Sequence, residues 1–300
     1  MTLIPFDDRD GQIWFDGVMT PWRDAKLHVL SHGLHYGSGV FEGERAYAGN
    51  IFQLRTHTER FFNSARILGF DIPYTVDEIE AACMQVVAAN GLADAYIRPI
   101  AWRGSEQLAV SAQMTKIHVA IATWAWPSMY GADRMKGVRL DMATWKRPHP
   151  ETAPTASKAT GMYMIGTLSK HAAEAKGFND ALMLDWRGHV AEATGANVFF
   201  VFDGELHTPT PDCFLDGITR RAVMRLAARN QIKVVERTVM PEELARANEV
   251  FLVGTAAEVS PVREIAGQTY TPGAITETLL NDFEKLVRMA PEEVQKQLAA

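Results

Sequence analysis

The chain has 300 residues, of which 47% are hydrophobic and 22% are charged, values that are typical of a globular protein with one large or two moderate domains. Its formal net charge of −6 at pH 7 argues against a nucleic-acid or anionic-membrane partner. No apolar run approaches the roughly 18 residues of a membrane helix, and residues 1–10 lack a signal pattern. Two cysteines, Cys83 and Cys213, give no disulfide or metal spacing, so we expect a cytoplasmic protein.

The first 125 residues alternate predicted hairpins and helices. Residues 12–22 indicate a hairpin that turns at Asp16-Gly17, and residues 46–54 indicate another around Gly49-Asn50. Capping boxes at residues 56–59 and 75–78 predict the starts of two helices, the first of which runs to Leu68. Residues 95–102 and 117–124, rich in Ile, Val and aromatic residues, predict strands.

Pro and Gly interrupt this periodicity after residue 125, which favours an interdomain linker. Strands are predicted from Val138 and at 181–185, 198–202, 232–239 and 249–253, and helices at 162–176, 219–230 and 274–288. We therefore expect an α+β or α/β protein of two domains. A small α+β domain covers residues 1–125, a linker 126–137, and a larger α/β domain 138–300.

Lys158 lies among small and apolar residues in the segment from Pro154 to Gly166. Burial disfavours the ammonium form of a lysine, and a neutral lysine is a nucleophile that can condense with an aldehyde. The simpler interpretation is a solvated loop lysine before the next helix. The choice between the two depends on the rest of the chain.

Two glycine-marked segments could bind a phosphate, namely Leu215–Arg220 at a helix start and Gly254–Ala257 after a strand. Thr219 is either a simple N-cap or a hydroxyl donor to the phosphate. Glu192 precedes a run of small residues, where a carboxylate requires a cationic partner such as a protonated pyridine nitrogen, unless it is a solvated turn residue. An aldehyde, a ring nitrogen and a phosphate together indicate pyridoxal 5'-phosphate.

Seven blocks of the chain, in order, form a recognisable set: Ser31–Gly37 with Val40–Arg45, His57–Arg60, Tyr96–Pro99, Thr155–Lys158, Glu192–Asn197, Leu215–Arg220 and Gly254–Glu258. With these blocks the chain resembles the fold-type IV pyridoxal-phosphate enzymes and, within them, the branched-chain amino-acid aminotransferases. The resemblance covers about residues 12–270.

The resemblance implies a role for each matching residue. Lys158 is the catalytic lysine that binds the cofactor aldehyde, Glu192 pairs with the pyridine nitrogen and Tyr163 hydrogen-bonds the phenolic oxygen. The phosphate is bound by Arg60, Ile218, Thr219 and Thr255. Glycines and an amide complete the cofactor site: Gly195, Asn197, Gly217 and Gly254.

The substrate site implied by the resemblance uses both halves of the chain. The carboxylate of the substrate meets the backbone around Thr255, Ala256 and Ala257, helped by Tyr96 and Arg45. An apolar side-chain pocket, which passes Gly43, is formed by Tyr36, Phe41, Tyr130 and Tyr163. Arg98 receives the distal carboxylate of glutamate, so that one site accepts aliphatic and acidic amino acids.

The implied activity is exchange of the amino group between leucine, isoleucine or valine and 2-oxoglutarate by a ping-pong mechanism, in a homodimer or higher homo-oligomer without a metal. Three alternatives stay open: a D-amino-acid or (R)-amine transaminase, an aminodeoxychorismate-type lyase, and a non-catalytic module of the same fold. Ala196 and Glu44 depart from the family pattern, which bears on the substrate range.

Overall fold

The structure is a computed structural model that describes residues 4–126 and 134–299. The chain divides into two units. Unit 1 contains the described residues up to 126 together with Ser157–Gly161, and unit 2 contains the described residues 134–156 and 162–299. No helix in these residues is both long and apolar enough to cross a membrane.

Unit 1 is built on an antiparallel sheet of seven strands, in which β2, β1, β7, β6, β4 and β5 are successive neighbours and β3 pairs with β6. The strands are β1 (Gln12–Phe15), β2 (Val18–Pro21), β3 (Gly39–Phe41), β4 (Glu44–Tyr47), β5 (Asn50–Ile51), β6 (Ala95–Arg103) and β7 (Ile117–Ala125). The β1–β2 hairpin turns at Asp16-Gly17 as predicted. The β4–β5 turn lies at Ala48-Gly49, one residue earlier than predicted, and both turn residues have positive φ.

Strands β3 and β4 follow one register along β6, because Phe41 lies opposite Ile100 and Glu44 lies opposite Ile97. Between them, Glu42 lies opposite Pro99. The Pro99 carbonyl accepts a hydrogen bond from Glu42 N, but proline has no N–H to donate, so the ladder is interrupted there. Side chains alternate across a strand. One face of this sheet therefore carries the side chains of residues 40, 42, 44 and 46, and the other carries those of 41, 45 and 47.

In the part of unit 1 that the structure describes, three α-helices accompany this sheet: α1 (His32–Tyr36), α2 (Leu54–Ile67) and α3 (Val76–Ala89). Phe61 of α2 and Ile79, Cys83 and Val86 of α3 pack with Val40 in one buried core. The capping box predicted at Thr75 is confirmed, since Thr75 Oγ1 accepts from Glu78 N and Glu78 Oε2 accepts from Thr75 N. The box predicted at Thr56 is wrong, because α2 begins two residues earlier and Thr56 lies inside its first turn.

Unit 2 is built on a mixed sheet of nine strands, in which β10, β9, β8, β15, β14, β11, β12 and β13 are successive neighbours and β16 pairs with β15. The strands are β8 (Val138–Met142), β9 (Asp180–Leu184), β10 (Val190–Ala193), β11 (Asn197–Phe202), β12 (Glu205–Pro209), β13 (Val234–Arg237), β14 (Glu249–Gly254), β15 (Glu258–Ile265) and β16 (Gln268–Thr269). The pairs β8–β9, β8–β15 and β12–β13 are parallel and the others are antiparallel.

The helices of unit 2 are α4 (Met164–Ala175), α5 (Ile218–Arg229), α6 (Ala274–Val287) and α7 (Pro291–Ala299). Short 3-10 helices lie at Trp22–Asp24, Thr160–Tyr163 and Pro241–Arg246. The polar tail, for which no element was predicted, forms α7, which buries only Val294. A sheet with packed helices in each unit confirms the expected mixed fold class.

The short segment Ser157–Gly161 belongs to unit 1, although the predicted boundaries place it in the second domain. Ala159 forms a bridge with Val40, and Phe41 N donates to Lys158 O at 3.1 Å. These backbone bonds lie between residues more than 100 positions apart, so no local pattern predicts them. Most of the expected linker lies outside the described residues.

Candidate active site

The backbone of Lys158 is fixed on two sides within unit 1. On one side, Phe41 N donates to Lys158 O. On the other side lies Ser64 of α2, whose hydroxyl accepts from Lys158 N at 3.0 Å and whose carbonyl accepts from Ser157 Oγ at 2.9 Å. Lys158 Nζ lies 4.9 Å from the ring centroid of Phe41. The amine therefore reaches the sheet face that carries Phe41, while its main chain stays in place.

Five of the predicted substrate residues lie in one region of the unit 1 sheet: Phe41, Gly43, Arg45, Tyr96 and Arg98. The Arg98 guanidinium lies 4.7 Å from the Phe41 ring centroid, and its Nη2 donates to Tyr96 Oη at 3.2 Å. Arg98 Nε is buried and has no hydrogen-bond partner among the described residues. An unsatisfied buried donor is costly, and a carboxylate is the natural acceptor for a guanidinium.

Gly43 allows Tyr96 to approach the main chain. A Cβ atom at position 43 would lie 2.0 Å from Tyr96 Oη, so any larger residue would displace the hydroxyl that Arg98 contacts. Arg45 is almost fully buried, and its Nη2 donates to Trp126 O at 3.3 Å. These contacts place a glycine, a phenol and two guanidinium groups in one part of the sheet.

Arg60, expected to bind phosphate, forms a bidentate ion pair with Glu42. Arg60 Nε lies 2.7 Å from Glu42 Oε1, and Arg60 Nη2 lies 2.9 Å from Glu42 Oε2. His57 Nδ1 lies 2.8 Å from Glu42 Oε2. Burial alone would raise the pKa of Glu42, but Arg60 and His57 hold it well below its usual range. Burial lowers the pKa of His57, so a neutral imidazole donates to an ionised carboxylate.

Three predicted aromatic residues have different surroundings. Tyr36 lies on α1, where half of its surface is exposed and its ring stacks on His32 at 4.5 Å, so within unit 1 it does not line an enclosed pocket. Tyr163 ends the 3-10 helix that leads into α4 of unit 2. Tyr130 lies outside the described residues.

In unit 2, Glu192 of β10 is buried between two polar partners. Glu192 Oε1 lies 2.8 Å from Arg147 Nη2, and Glu192 Oε2 accepts from Asn197 Nδ2 at 3.1 Å. Asn197 Nδ2 also donates to Leu215 O at 3.1 Å, which ties the start of β11 to the loop before α5. A Cβ at Gly217 would lie 2.1 Å from Asn197 Oδ1, so this approach requires glycine.

Two backbone features of unit 2 could bind an anion. Gly217 stands at the N-cap of the 12-residue helix α5, and no side chain of the described residues caps it. Of the two alternatives for Thr219, the N-cap is wrong, because Thr219 lies in the first turn of α5 and is 5% exposed. The second feature is the turn of Thr255, Ala256 and Ala257 between β14 and β15. Of the two remaining predicted glycines, Gly254 ends β14, and Gly195 lies in the β10–β11 turn with open space around it.

Sequence reasoning assigned no role to four residues that hold these groups. Glu42 and His57 belong to motifs that indicate no role for them, and Ser64 and Arg147 belong to no motif. The spacing of His57 and Arg60 on one helical face could have indicated a shared partner. Arg147 carries no local signal, because its contact with Glu192 joins residues 45 positions apart and depends on the sheet.

The family model for "Amino-transferase class IV" matches residues 39–265. A branched-chain-amino-acid aminotransferase from Pseudomonas aeruginosa is 42% identical over 288 residues, which cover 93% of this chain and 94% of the relative.

Two solved structures of branched-chain aminotransferases are also similar. The enzyme from the archaeon Thermoproteus uzoniensis, with norvaline, has a TM-score of 0.91 and 37% identity, and the match covers 96% of this chain and 98% of that one. The enzyme from Thermobaculum terrenum, in its PLP-bound holo-form, has a TM-score of 0.86 and 30% identity, over 96% of this chain and 97% of that one. This chain belongs to the class IV aminotransferases and, within them, to the branched-chain-amino-acid aminotransferase family.

Proposed function

We propose that this protein is a pyridoxal-phosphate-dependent transaminase that exchanges the amino group between leucine, isoleucine or valine and 2-oxoglutarate. The observation that carries the proposal is the sheet face of unit 1 on which an apolar ring, Phe41, contacts both the Lys158 amine and the Arg98 guanidinium. Phe41 suits an aliphatic side chain, whereas Arg98 suits a second carboxylate. One face thus offers contacts for both kinds of substrate.

The residues present fit the cofactor. Glu192 is a buried acceptor that can face a protonated ring nitrogen. The uncapped start of α5 at Ile218 and Thr219 offers main-chain N–H groups and a partial positive charge to a phosphate. Arg60 and Thr255 are proposed as further phosphate ligands, and Tyr163 as the partner of the phenolic oxygen. Gly195, Asn197, Gly217 and Gly254 are proposed to complete the cofactor site, and at Gly217 a Cβ would collide with Asn197 Oδ1.

When bound, pyridoxal phosphate supplies an aldehyde for the amine and a ring that withdraws electrons from the substrate Cα. Lys158 acts as the base that takes the Cα proton and as the acid that returns it. Glu192 keeps the ring nitrogen protonated. The N–H groups of Ala256 and Ala257 are proposed as ligands of the substrate α-carboxylate, and Tyr96 and Arg45 are proposed as further ligands of it. Tyr36, Tyr130 and Gly43 are proposed to border the side chain.

We also propose a homodimer or higher homo-oligomer in the cytoplasm. Unit 1 exposes Leu27, Val29, Leu30 and Leu34 within eight residues of chain, and exposed apolar residues of this density favour association. Sedimentation of the purified protein tests the oligomeric state. The two cysteines are free and buried, in agreement with a reducing compartment.

A half-reaction tests the proposed activity. The protein is loaded with pyridoxal phosphate, mixed with single L- or D-amino acids, and its spectrum is followed toward the pyridoxamine form. We expect conversion by L-leucine, L-isoleucine, L-valine and L-glutamate, and none by the D-enantiomers. Conversion by D-amino acids alone would favour the D-amino-acid transaminase.

The same spectra test the role of Lys158. Lys158→Ala should lose both the visible absorbance of the lysine-bound cofactor and all turnover, because no other residue is proposed to supply the amine. Lys170→Ala, on the neighbouring helix α4 and half exposed, is the matched control and should keep both. A Lys158→Ala protein that stays yellow and active would refute the assignment.

A further inference from the structure

We infer that Glu42, supported by His57, is a positioning residue that holds the Arg60 guanidinium in the orientation in which it binds the cofactor phosphate. The inference rests on the proposed function, and it concerns two residues to which neither the motif nor the family resemblance gave a role. Glu42 acts through Arg60 and does not itself touch the phosphate.

The Glu42 carboxylate is almost saturated with hydrogen bonds. Oε1 accepts from Arg60 Nε, while Oε2 accepts from Arg60 Nη2, from His57 Nδ1 and, at 3.3 Å, from Gly43 N. Glu42 has no exposed surface, so its side chain cannot turn toward water. A carboxylate held by four donors in a buried position is a rigid support.

This support determines the direction of the guanidinium. The group is a planar fork, and Glu42 takes the edge formed by Nε and Nη2. The opposite edge must then point away from Glu42 in the same plane. Phosphate is also bound best by a planar, two-pronged donor. An arginine on its own flexible chain would sample many directions, and only a fraction of them would suit a phosphate.

His57 completes the support because it lies one helical turn before Arg60 on α2. Its imidazole is neutral, since burial lowers its pKa, and it adds a hydrogen bond to Glu42 without adding a positive charge beside Arg60. The only charges in the group are then one carboxylate and one guanidinium. A carboxylate left without the cation would be costly at this depth, so the pair forms as a unit.

The test compares the affinity of the cofactor-free protein for pyridoxal phosphate and for pyridoxal, which lacks the phosphate. Glu42→Gln should weaken binding of pyridoxal phosphate by about ten- to a hundredfold, the range expected when hydrogen bonds to a charged group are lost. Binding of pyridoxal should not change. Glu59→Gln, at an exposed position next to Arg60, is the matched control and should leave both affinities unchanged.

A double-mutant cycle separates positioning from a general structural role. Arg60→Lys removes the fork, so adding Glu42→Gln to it should cost no further affinity for pyridoxal phosphate. His57→Gln should give a smaller loss of affinity for pyridoxal phosphate. Phosphorus NMR of the bound cofactor should show a shifted phosphate signal in both Glu42→Gln and His57→Gln. Glu42→Asp, which keeps the charge but shortens the side chain, replaces Glu42→Gln if that variant does not fold.

Equal losses for pyridoxal and pyridoxal phosphate, or additive losses in the cycle, would overturn the inference. If the wild type prefers pyridoxal phosphate and Glu42→Gln binds it with unchanged affinity, the inference about Glu42 is overturned but the proposed function stands. A wild-type protein that binds neither compound would overturn the proposed function and the inference together.

Discussion

At the scale of single residues, Arg98 combines an aromatic environment for its guanidinium with a buried N–H donor. Its guanidinium lies over the rings of Phe41 and Tyr96, at 4.7 and 5.2 Å from their centroids, yet its Nε stays buried without a partner among the described residues. The rings accept the flat face of the cation. The described residues offer this edge no acceptor, and an acidic substrate would supply one.

Arg98→Ala should therefore reduce kcat/KM for glutamate and 2-oxoglutarate by about a hundredfold or more, because a buried charge pair loses one partner. The loss for leucine should be much smaller, because its side chain needs only the apolar surface. Arg103→Ala on the same strand is the control, since Arg103 binds the carbonyls of Gly69 and Ala112 instead. Equal losses for leucine and glutamate would contradict the role.

A local motif supplies a prediction for a single residue, whereas a partner that lies far along the chain leaves no local signal. Lys158, Glu192 and Arg98 stand in recognisable motifs. The Glu192–Arg147 pair spans 45 positions, and the Ser64 bonds to Ser157 and Lys158 span more than 90. Such pairs exist only because strands and helices bring them together, so composition and spacing do not reveal them.

At the scale of elements, helix starts separate what a short pattern can determine from what it cannot. Residues 56–59 and 75–78 both satisfy the capping pattern, but only Thr75 begins a helix. In α2 the preceding Gln53 adopts a left-handed conformation at φ +54° after the β4–β5 hairpin, and the helix starts there. The geometry of the hairpin, not the cap, determines where α2 begins.

Two separate variants, in which either Thr75 or Thr56 is replaced by alanine, compare what each threonine contributes to stability. Thr75→Ala should lower the free energy of unfolding by about 1 kcal/mol, because Glu78 N and Thr75 Oγ1 lose their mutual hydrogen bond. Thr56→Ala is the matched variant and should cost clearly less, because Thr56 Oγ1 donates only to the side chain of Gln53. Denaturant unfolding of both variants gives the comparison. A larger cost at Thr56 would contradict the observed helix start.

At the scale of the whole molecule, a buried acid makes stability depend on pH. Glu44 has no exposed surface. Burial and the negative charge of Glu42 raise its pKa well above the usual 4.5, and the Cys83 thiol and Arg60 offset only part of this rise. The folded state therefore keeps a proton that the unfolded chain releases. The stability linked to this proton is fully present below the usual pKa and is lost as the pH rises toward the folded value.

Glu44→Gln should remove this component. As the pH rises above the usual glutamate pKa, the unfolding free energy of the wild type should carry a downward contribution of up to about 1.4 kcal/mol per pH unit that the variant lacks. Glu59→Gln, which is exposed, should follow the wild-type curve. Thermal or urea unfolding at a series of pH values gives the curves. Parallel curves for wild type and Glu44→Gln would show that Glu44 is ionised in the folded state.

The fold class and most elements of the whole molecule could be predicted, because alternation and helical spacing are local properties. The Ser157–Gly161 segment could not, since its place in unit 1 depends on the bridge from Ala159 to Val40. The domain boundaries at 125 and 138 stay predictions. The burial of Glu44 also does not follow from its residue type, because glutamates are ordinarily exposed.

The route of the chain through Lys158 limits how the protein could be divided into two fragments. A fragment ending near residue 137 would contain nearly all of unit 1 but omit the peptide that covers the outer edge of Val40 and Phe41. The complementary fragment would carry Lys158 without Ser64, whose hydroxyl accepts from the Lys158 main chain. Neither fragment alone would contain the whole of unit 1. An exchange of halves between related enzymes would therefore have to transfer residues 157–161 together with the N-terminal part.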